Sequence, residues 1–324
     1  GDLTSENGYK GTATSSPTRY IFHTHNISNA TIDFGSIASK GNSTRFGDYI
    51  SGGPGHPAAA LLRCCSNQTR AVFAGGYLLI SPYGFVTPQM GTITIASEGN
   101  ATVFGDLTIA RYGMNATSNQ VRGIFAGGQS PTKLNTIGFV TISTTGNTTD
   151  FGDLTVAAGY SRGQSASNET RMLFAGGYGN PLKNNIEFIT VQSQGNSTDF
   201  GDMTIGRIGM GAVSDKVRAV RGGGQNQTGS PYYTNVIDYV EFSTTGNAVD
   251  FGDTVNANGY RGGTCNSSTR GIFCYSSYPS APYCNFDTVI TRTTGNAVDF
   301  AEGRGGYYSS VSYTHLTLPT IYSV

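Results

Sequence analysis

Short runs of alternating hydrophobic and polar residues recur along this chain. In one of the clearest runs, Ile137, Phe139 and Thr141 point to one side and their neighbours to the other. A period of two with β-branched and aromatic residues is typical of a β-strand, and no helical period is present. Four such runs make one unit, at residues 121–128, 135–144, 148–157 and 165–168. The pattern therefore predicts a unit of four short antiparallel strands.

The unit is repeated. A Gly-Asn pair occurs at 41–42, 99–100, 146–147, 195–196, 246–247 and 295–296, with gaps of 58, 47, 49, 51 and 49 residues. Each time, a phenylalanine follows five positions after the glycine, usually within a Phe-Gly-Asp sequence. A period near 50 indicates a copied supersecondary unit that needs its neighbours to bury its apolar face. The larger first gap predicts an insertion around residues 52–62, as a long surface loop.

The Gly-Asn pair has the sequence of a tight turn. With glycine first and asparagine second, Gly146-Asn147 predicts a two-residue hairpin of type II′ between the second and third strands of its unit. The same turn chemistry explains most of the abundant Asn-x-Ser/Thr sequences better than glycosylation does. Because hairpin connections alternate between the two ends of a sheet, the constant turns are expected on one face and the variable loops on the other.

The repeat resembles the kelch family of β-propellers. The resemblance rests on strands that end in Gly-Gly and on the aromatic residue that begins the following strand after the turn, and it covers about residues 1–303. It implies an all-β fold, a kelch-like β-propeller of about six blades of four antiparallel strands, or seven if the chain is a fragment. The Gly-Gly strands are Phe73-Ala74-Gly75-Gly76, Phe125-Ala126-Gly127-Gly128, Phe174-Ala175-Gly176-Gly177 and, in part, Arg221-Gly222-Gly223-Gly224.

The amino-acid sequence of the repeat is also similar to that of uncharacterised repeat proteins of marine bacteriophages and metagenomes. The shared sequence is TGN-x-x-DFGDLT combined with S-N-x-T-R-x-x-FAGG. Some of those proteins are regarded as virion or tail-associated proteins such as tail fibres. The resemblance implies a virion or extracellular location and binding to a carbohydrate or a protein.

Both ends of the sequence depart from the repeat. The chain starts at Gly1-Asp2-Leu3-Thr4, the second half of a Phe-Gly-Asp-Leu-Thr sequence, which predicts a fragment that begins inside a blade. Residues 311–324 abandon the repeat and resemble a translated sequencing-adapter tail. We therefore expect a single propeller domain over residues 1–310 and a non-native or disordered tail over 311–324.

Composition excludes several functions. The chain has 20 basic and 20 acidic residues, so no basic field exists to hold the phosphates of a nucleic acid. No stretch of 18 apolar residues is present, so no membrane-spanning segment is predicted. With 37% hydrophobic and 12% charged residues, the chain is too apolar and too regular for disorder.

One aspartate and one arginine recur in nearly every repeat. A calcium site needs several oxygens from one short loop, whereas each repeat supplies one carboxylate, so we expect a structural role and no metal or other cofactor. Each aspartate is expected to accept backbone N–H bonds or to pair with a repeated arginine. The residues are Asp48, Asp106, Asp153, Asp202 and Asp253, and Arg19, Arg70, Arg122, Arg171, Arg218 and Arg270.

Residues with catalytic chemistry are few. His23 and His25 lie on one side of a strand and could bind a metal, but they replace Gly-Gly in a divergent repeat, which favours a weak or accidental site. Cys274 and Cys284 flank a loop that a disulfide could close, and the positions of Cys64 and Cys265 indicate small buried residues. No catalytic residues are assigned, and the chain is expected not to be an enzyme.

The variable loops are the predicted binding region. They lie at residues 77–89, 129–134, 178–184, 225–233 and 275–283, together with 112–114, 161–164 and 208–211, and they are rich in Tyr, Asn, Gln and Ser. A host-surface glycan or a virion protein is the expected partner. A glycan-active or other enzyme with its site at the channel mouth is the alternative. The predicted contacts are Tyr77, Tyr83, Tyr178, Tyr232, Tyr233, Tyr275, Tyr278 and Tyr283.

Overall fold

The computed structural model describes residues 4, 8–25, 30–39, 41–50, 59–78, 84–157, 159, 165–178, 181–226, 232–257, 263–276 and 283–304. The side chains of residues 8–10, 24–25, 276, 283–284 and 302–304 are outside this description. All regular elements within it are β-strands, and it contains no helix that could span a membrane. The suspected tail at 311–324 lies outside the described residues.

Antiparallel sheets succeed one another along the chain. Sheet 1 contains β1 (Gly8–Ser15), β2 (Arg19–His25), β3 (Ala30–Ser36) and β4 (Thr44–Asp48). A small three-stranded sheet, β5 (Ala59–Ala60), β8 (Tyr77–Leu78) and β9 (Phe85–Val86), interrupts sheet 2, which contains β6 (Arg63–Ser66), β7 (Arg70–Ala74), β10 (Gln89–Thr94) and β11 (Thr102–Asp106).

The four remaining sheets have four strands each. Sheet 3 contains β12 (Asn115–Ser118), β13 (Arg122–Ala126), β14 (Thr136–Thr141) and β15 (Thr149–Asp153). Sheet 4 contains β16 (Ala166–Ser167), β17 (Arg171–Gly177), β18 (Lys183–Thr190) and β19 (Thr198–Asp202). Sheet 5 contains β20 (Gly211–Ser214), β21 (Arg218–Gly222), β22 (Val236–Glu241) and β23 (Val249–Asp253). Sheet 6 contains β24 (Thr264–Asn266), β25 (Arg270–Ser276), β26 (Tyr283–Ile290) and β27 (Val298–Arg304).

This arrangement confirms the predicted all-β propeller and corrects the order of strands within a blade. The run at 165–168, predicted to close the third repeat, instead opens sheet 4, where Ala166 pairs with Leu173. Each linker thus carries the chain from the fourth strand of one sheet, which we call the outer strand, to the first strand of the next, which we call the inner strand. The sequence pattern could not reveal this because alternation marks strands without stating which of them pair.

The first strands of neighbouring sheets meet and bond through small polar side chains. Ser118 donates to the Ser66 carbonyl at 2.6 Å, and Thr117 donates to Ser167 at 2.9 Å. The same contact continues along the array, since Ser214 donates to the Ser167 carbonyl at 2.8 Å. Small hydroxyl side chains let these backbones approach closely.

The hydrophobic core lies between adjacent sheets. Phe174 of sheet 4 is fully buried and packs on Ile124 and Ile137 of sheet 3. Equivalent buried phenylalanines are Phe73, Phe125 and Phe273. Because each sheet buries its apolar face only against its neighbours, the array has the energetics of a repeat protein.

The insertion around residues 52–62 is only partly described, and its described end is not a surface loop. Ala59, Ala60, Leu61 and Leu62 are all buried. A Cβ on Gly76 would lie 2.9 Å from Ala59 Cβ, so the insertion packs where sheet 2 has glycine. The prediction of a surface loop was therefore wrong for residues 59–62.

Candidate binding face

The Gly-Asn pairs are not two-residue hairpins. In sheet 3, residues 142–148 separate β14 from β15, and the turn closes early, where Thr144 N–H donates to Thr141 O at 3.1 Å. Gly146 has a φ of 157°, whereas the first central residue of a type II′ turn has a φ of about 60°. The predicted type II′ turn was wrong, and the chain around Gly146 is an extended arm.

Each arm binds the outer strand of the preceding sheet. Gly146 N–H donates to Phe104 O at 2.8 Å and Thr148 N–H donates to Asp106 O at 2.9 Å. In return, Asp106 N–H donates to Asn147 Oδ1 at 2.9 Å. We call the segments with this contact Gly-Asn arms; the other four contain Gly99-Asn100, Gly195-Asn196, Gly246-Asn247 and Gly295-Asn296.

The arms explain the glycine of Phe-Gly-Asp. A Cβ on Gly152 would lie 2.4 Å from the backbone of Gly195 in the next arm, and the four equivalent glycines are equally close to theirs. The arm also covers the preceding phenylalanine, so Phe151 is 2% exposed. In sheet 6 the glycine is replaced by Ala301, and Phe300 is 50% exposed.

The repeated arginines from Arg19 to Arg218 donate hydrogen bonds to carbonyl oxygens of the next sheet along the chain. The predicted pairs between repeated Asp and repeated Arg are not observed at the described positions. Arg122 Nη1 donates to Val191 O of the next sheet at 2.6 Å, with its guanidinium 4.8 Å above the Phe139 ring. Arg19 likewise donates to Ile95 O at 3.2 Å. Carbonyls and aromatic rings therefore take the place of the aspartates as partners of these arginines. No described backbone N–H donates to the carboxylate of a repeated aspartate, so the structural role of those side chains stays a prediction.

Buried carboxylates hold the linkers between sheets. Glu187 Oε2 accepts from the N–H and the hydroxyl of Thr155, both at 2.6 Å. Asp238 accepts from Thr204 in the same way and forms a buried ion pair of 2.5 Å with Arg207.

Arg221 occupies a core position that is held by phenylalanine in other sheets. It takes the place that Phe125 and Phe174 have in their sheets, and it is fully buried. None of its three side-chain nitrogens has a hydrogen-bond partner among the described residues. Burial lowers the pKa of Arg221 to about 10, partly offset by the nearby charge of Asp238.

The predicted tyrosines divide into exposed and buried groups. Tyr178 is 53% exposed and Tyr232 is 60% exposed, while Tyr77 and Tyr233 are half-buried. Tyr275 is buried and stacks on Phe273 with ring centroids 5.9 Å apart, so it cannot contact a ligand in this conformation. Tyr83, Tyr278 and the side chain of Tyr283 lie outside the described residues.

A lysine that the sequence analysis did not single out joins Tyr178. Lys133 Nζ, from the loop between β13 and β14, donates to Tyr178 O at 3.1 Å and lies 4.9 Å from the centre of its ring. Lys183 pairs opposite Gly177 at the start of β18 and is exposed. The sequence signal for this contact is slight, because Lys133 and Tyr178 belong to different sheets.

The histidines considered as metal ligands and the cysteines considered as small buried residues differ in their surroundings. His23 is buried against Tyr49, with ring centroids 5.0 Å apart, and the side chain of His25 is outside the described residues. Cys64 is buried as expected, but Cys265 is exposed. No group of three or more potential metal ligands occurs in the described part of the chain.

Cys274 lies opposite Phe286, whereas Cys284 lies opposite Ser276. The two cysteines are therefore diagonal neighbours in the pairing of β25 and β26. Because the side chain of Cys284 is outside the described residues, a disulfide between them stays a prediction.

Comparison with known proteins supports the fold alone. The solved structure of YjhT is similar, with a TM-score of 0.69 at 10% sequence identity, and the match covers 92% of this chain and 99% of that chain. No protein-family model and no curated protein sequence matches the chain. The kelch and bacteriophage resemblances therefore stay predictions from the repeat sequence.

Proposed function

We propose that this protein is a non-enzymatic binding module that uses one face of the propeller. This loop face is the end that carries the second-to-third strand connections and the linkers between sheets. The other end carries the Gly-Asn arms and is called the arm face. The main support is that constant and variable residues have different surroundings. The repeated residues form contacts between sheets, whereas exposed Tyr178 and Tyr232 lie in loops that differ between sheets.

The proposed partner is a host-surface glycan or another virion protein, with the propeller displayed on a bacteriophage particle. Support for this setting is the resemblance of the repeat sequence to virion-associated repeat proteins. Tyrosine suits such a face because it combines a rigid apolar ring with a polar tip at low cost in conformational entropy.

The proposal is tested with a glycan array and with binding to candidate host cells. We expect Tyr178→Ala and Tyr232→Ala each to weaken binding about tenfold, as for an aromatic contact residue. Val121→Ala is the matched control, since Val121 is 57% exposed but lies on the arm face.

Binding that survives both tyrosine substitutions would refute the assignment of the face. Chemical turnover of a bound glycan would favour the enzyme hypothesis instead. Folding of each variant is checked by thermal unfolding, because a change at an exposed side chain should leave stability nearly unchanged.

A further inference from the structure

The loop face differs in charge from the rest of the molecule. Its eleven connections and linkers contain no Asp or Glu in the sequence between the strand ends. Their charged residues are all basic: Arg111, Lys133, Arg162, Arg207 and Arg261. Of these, Arg111 and Arg207 are buried and Lys133 is exposed.

The arm face has balanced charges. Its connections hold Glu98, Glu169 and Asp215 beside Lys40, Lys216 and Arg292. Some of these charges pair, as between Lys216 and Glu169 at 3.6 Å and between Arg292 and Asp215 at 2.8 Å. The overall charge of zero therefore conceals a loop face whose connections and linkers carry only basic charges.

The positive charges of the two described lysines of the loop face are not paired with described carboxylates. Neither Lys133 nor Lys183 forms an ion pair with a described carboxylate. Carboxylates do lie at the perimeter, since each outer strand from sheet 1 to sheet 5 ends in Asp. Lys133 is held over the Tyr178 ring, so an aromatic surface and a cation are adjacent.

We infer that the loop face binds an anionic glycan that carries carboxylate or sulfate groups, with Lys133, Lys183 and Tyr178 as contacts. This inference rests on the proposed function and names the ligand class of the same face. The flat apolar side of a sugar ring can pack on the exposed tyrosine while the anionic substituent meets the lysines. An acidic protein fits less well, because a protein interface needs a larger apolar centre.

Among the described residues of this face, the exposed apolar side chains do not supply such a centre. Phe85, Ile109 and Val255 are 50%, 38% and 49% exposed, but they lie in three separate segments: a connection of sheet 2, the linker from sheet 2 to sheet 3 and the linker from sheet 5 to sheet 6. Singly exposed apolar side chains are normal on protein surfaces. The charge pattern and the tyrosine together therefore favour a glycan.

The test uses dextran, carboxymethyl dextran, dextran sulfate and poly-glutamate as probes for the whole chain at low and moderate ionic strength. We expect binding to carboxymethyl dextran, dextran sulfate or both, and none to dextran. Combined Lys133→Gln and Lys183→Gln substitutions should weaken that binding roughly tenfold, the order that two exposed ion pairs supply. Lys216→Gln on the arm face is the control and should have no effect.

Three results would overturn the inference: equal binding of dextran, equal binding by the double variant, or binding of poly-glutamate alone. Added salt should weaken binding of wild type more than that of the double variant. If Tyr178→Ala abolishes binding of a neutral ligand while the lysine variant does not, the proposed function survives and the inference fails. If neither variant affects binding of any ligand, both fail.

Discussion

The arm face and the loop face are built from the same repeats, but the arm face has the same contact at each described junction whereas the loop face has connections of varying length. On the arm face, one contact recurs at five junctions, with Phe and Asp carbonyls accepting from the following arm. On the loop face, the connection between the second and third strands ranges in length from residues 26–29 in sheet 1 to residues 75–88 in sheet 2.

This difference indicates which residues stability constrains. Residues that repeat are those that touch the next sheet, and residues that vary are those that face solvent or a partner. Substitutions on the arm side should therefore change the free energy of unfolding, whereas substitutions on the loop side should change binding. Five predictions test that separation.

The largest effect is expected at the glycine under an arm. Gly152→Ala would place a Cβ 2.4 Å from the Gly195 backbone at a φ of 144°. We expect a loss of about 3 kcal/mol in the free energy of unfolding, because the arm must separate from the outer strand. Urea denaturation measures it.

Gly195→Ala is the matched control, because its φ is 155° but no atom lies within 4 Å of the added Cβ. A loss equal to that of Gly152→Ala would assign the cost to backbone strain alone and contradict the role of the arm.

Arg221→Phe should stabilise the protein. It restores the phenylalanine found at the equivalent position of other sheets and removes a buried cation without hydrogen-bond partners. The expected gain is about 2 kcal/mol, since buried charges are often less stabilising than well-packed apolar residues. Phe174→Arg, the reverse change in sheet 4, should be strongly destabilising. A loss on Arg221→Phe would show that the arginine has a partner that its surroundings do not reveal.

Asn196→Ala tests one hydrogen bond of an arm. The Asn196 Oδ1 accepts from Asp153 N–H at 3.0 Å, and its removal should cost about 1 kcal/mol. Asn119 serves for comparison, because its Oδ1 accepts within its own connection, from Arg122 N–H at 2.7 Å, and its Nδ2 makes only a long bond of 3.4 Å to Glu169 O of the next sheet. If the junction between sheets 3 and 4 depends on the arm, Asn196→Ala should lower the free energy of unfolding more than Asn119→Ala does, as measured by urea denaturation.

Acid should weaken the arm face through Asp215. Burial alone would raise the pKa of Asp215, but hydrogen bonds from the Arg218 and Val217 N–H groups, Arg292 and Thr291 outweigh it and lower the pKa below 3.8. Because the folded pKa is depressed, this stabilisation is present above the unfolded value and is lost as pH falls through the folded value. Thermal unfolding between pH 5 and pH 2 should show less acid sensitivity in Asp215→Asn, which keeps the turn acceptor.

The smallest effect on stability is expected on the loop face. Tyr178→Ala removes a ring that is 53% exposed and a cation–π contact with Lys133, so the free energy of unfolding should change by about 0.5 kcal/mol or less. A loss comparable to that of Gly152→Ala would show that the loops also support the sheets.

Local alternation, the repeat period and the resemblance to kelch repeats were sufficient to predict the propeller, because every repeat carries the same strand pattern and buries the same face against its neighbours. The Gly-Asn arm was not predictable, since Gly146 bonds Phe104 in another sheet while its sequence matches that of a local turn. Exposed Tyr178 could be named from loop composition, but the burial of Tyr275 depends on the neighbouring Gly222, which leaves room for its ring. Contacts between repeats are thus the information that a single repeat does not contain.

The backward reach of the arms has a consequence for synthesis on the ribosome. An outer strand receives its arm only after the next repeat emerges, and the bonds from Asp N–H to Asn Oδ1 span 52, 41, 43, 45 and 43 residues. At any moment the growing chain would present a single uncapped edge, which the next stretch of polypeptide closes. Translation itself would then limit how much sheet edge is available for aggregation.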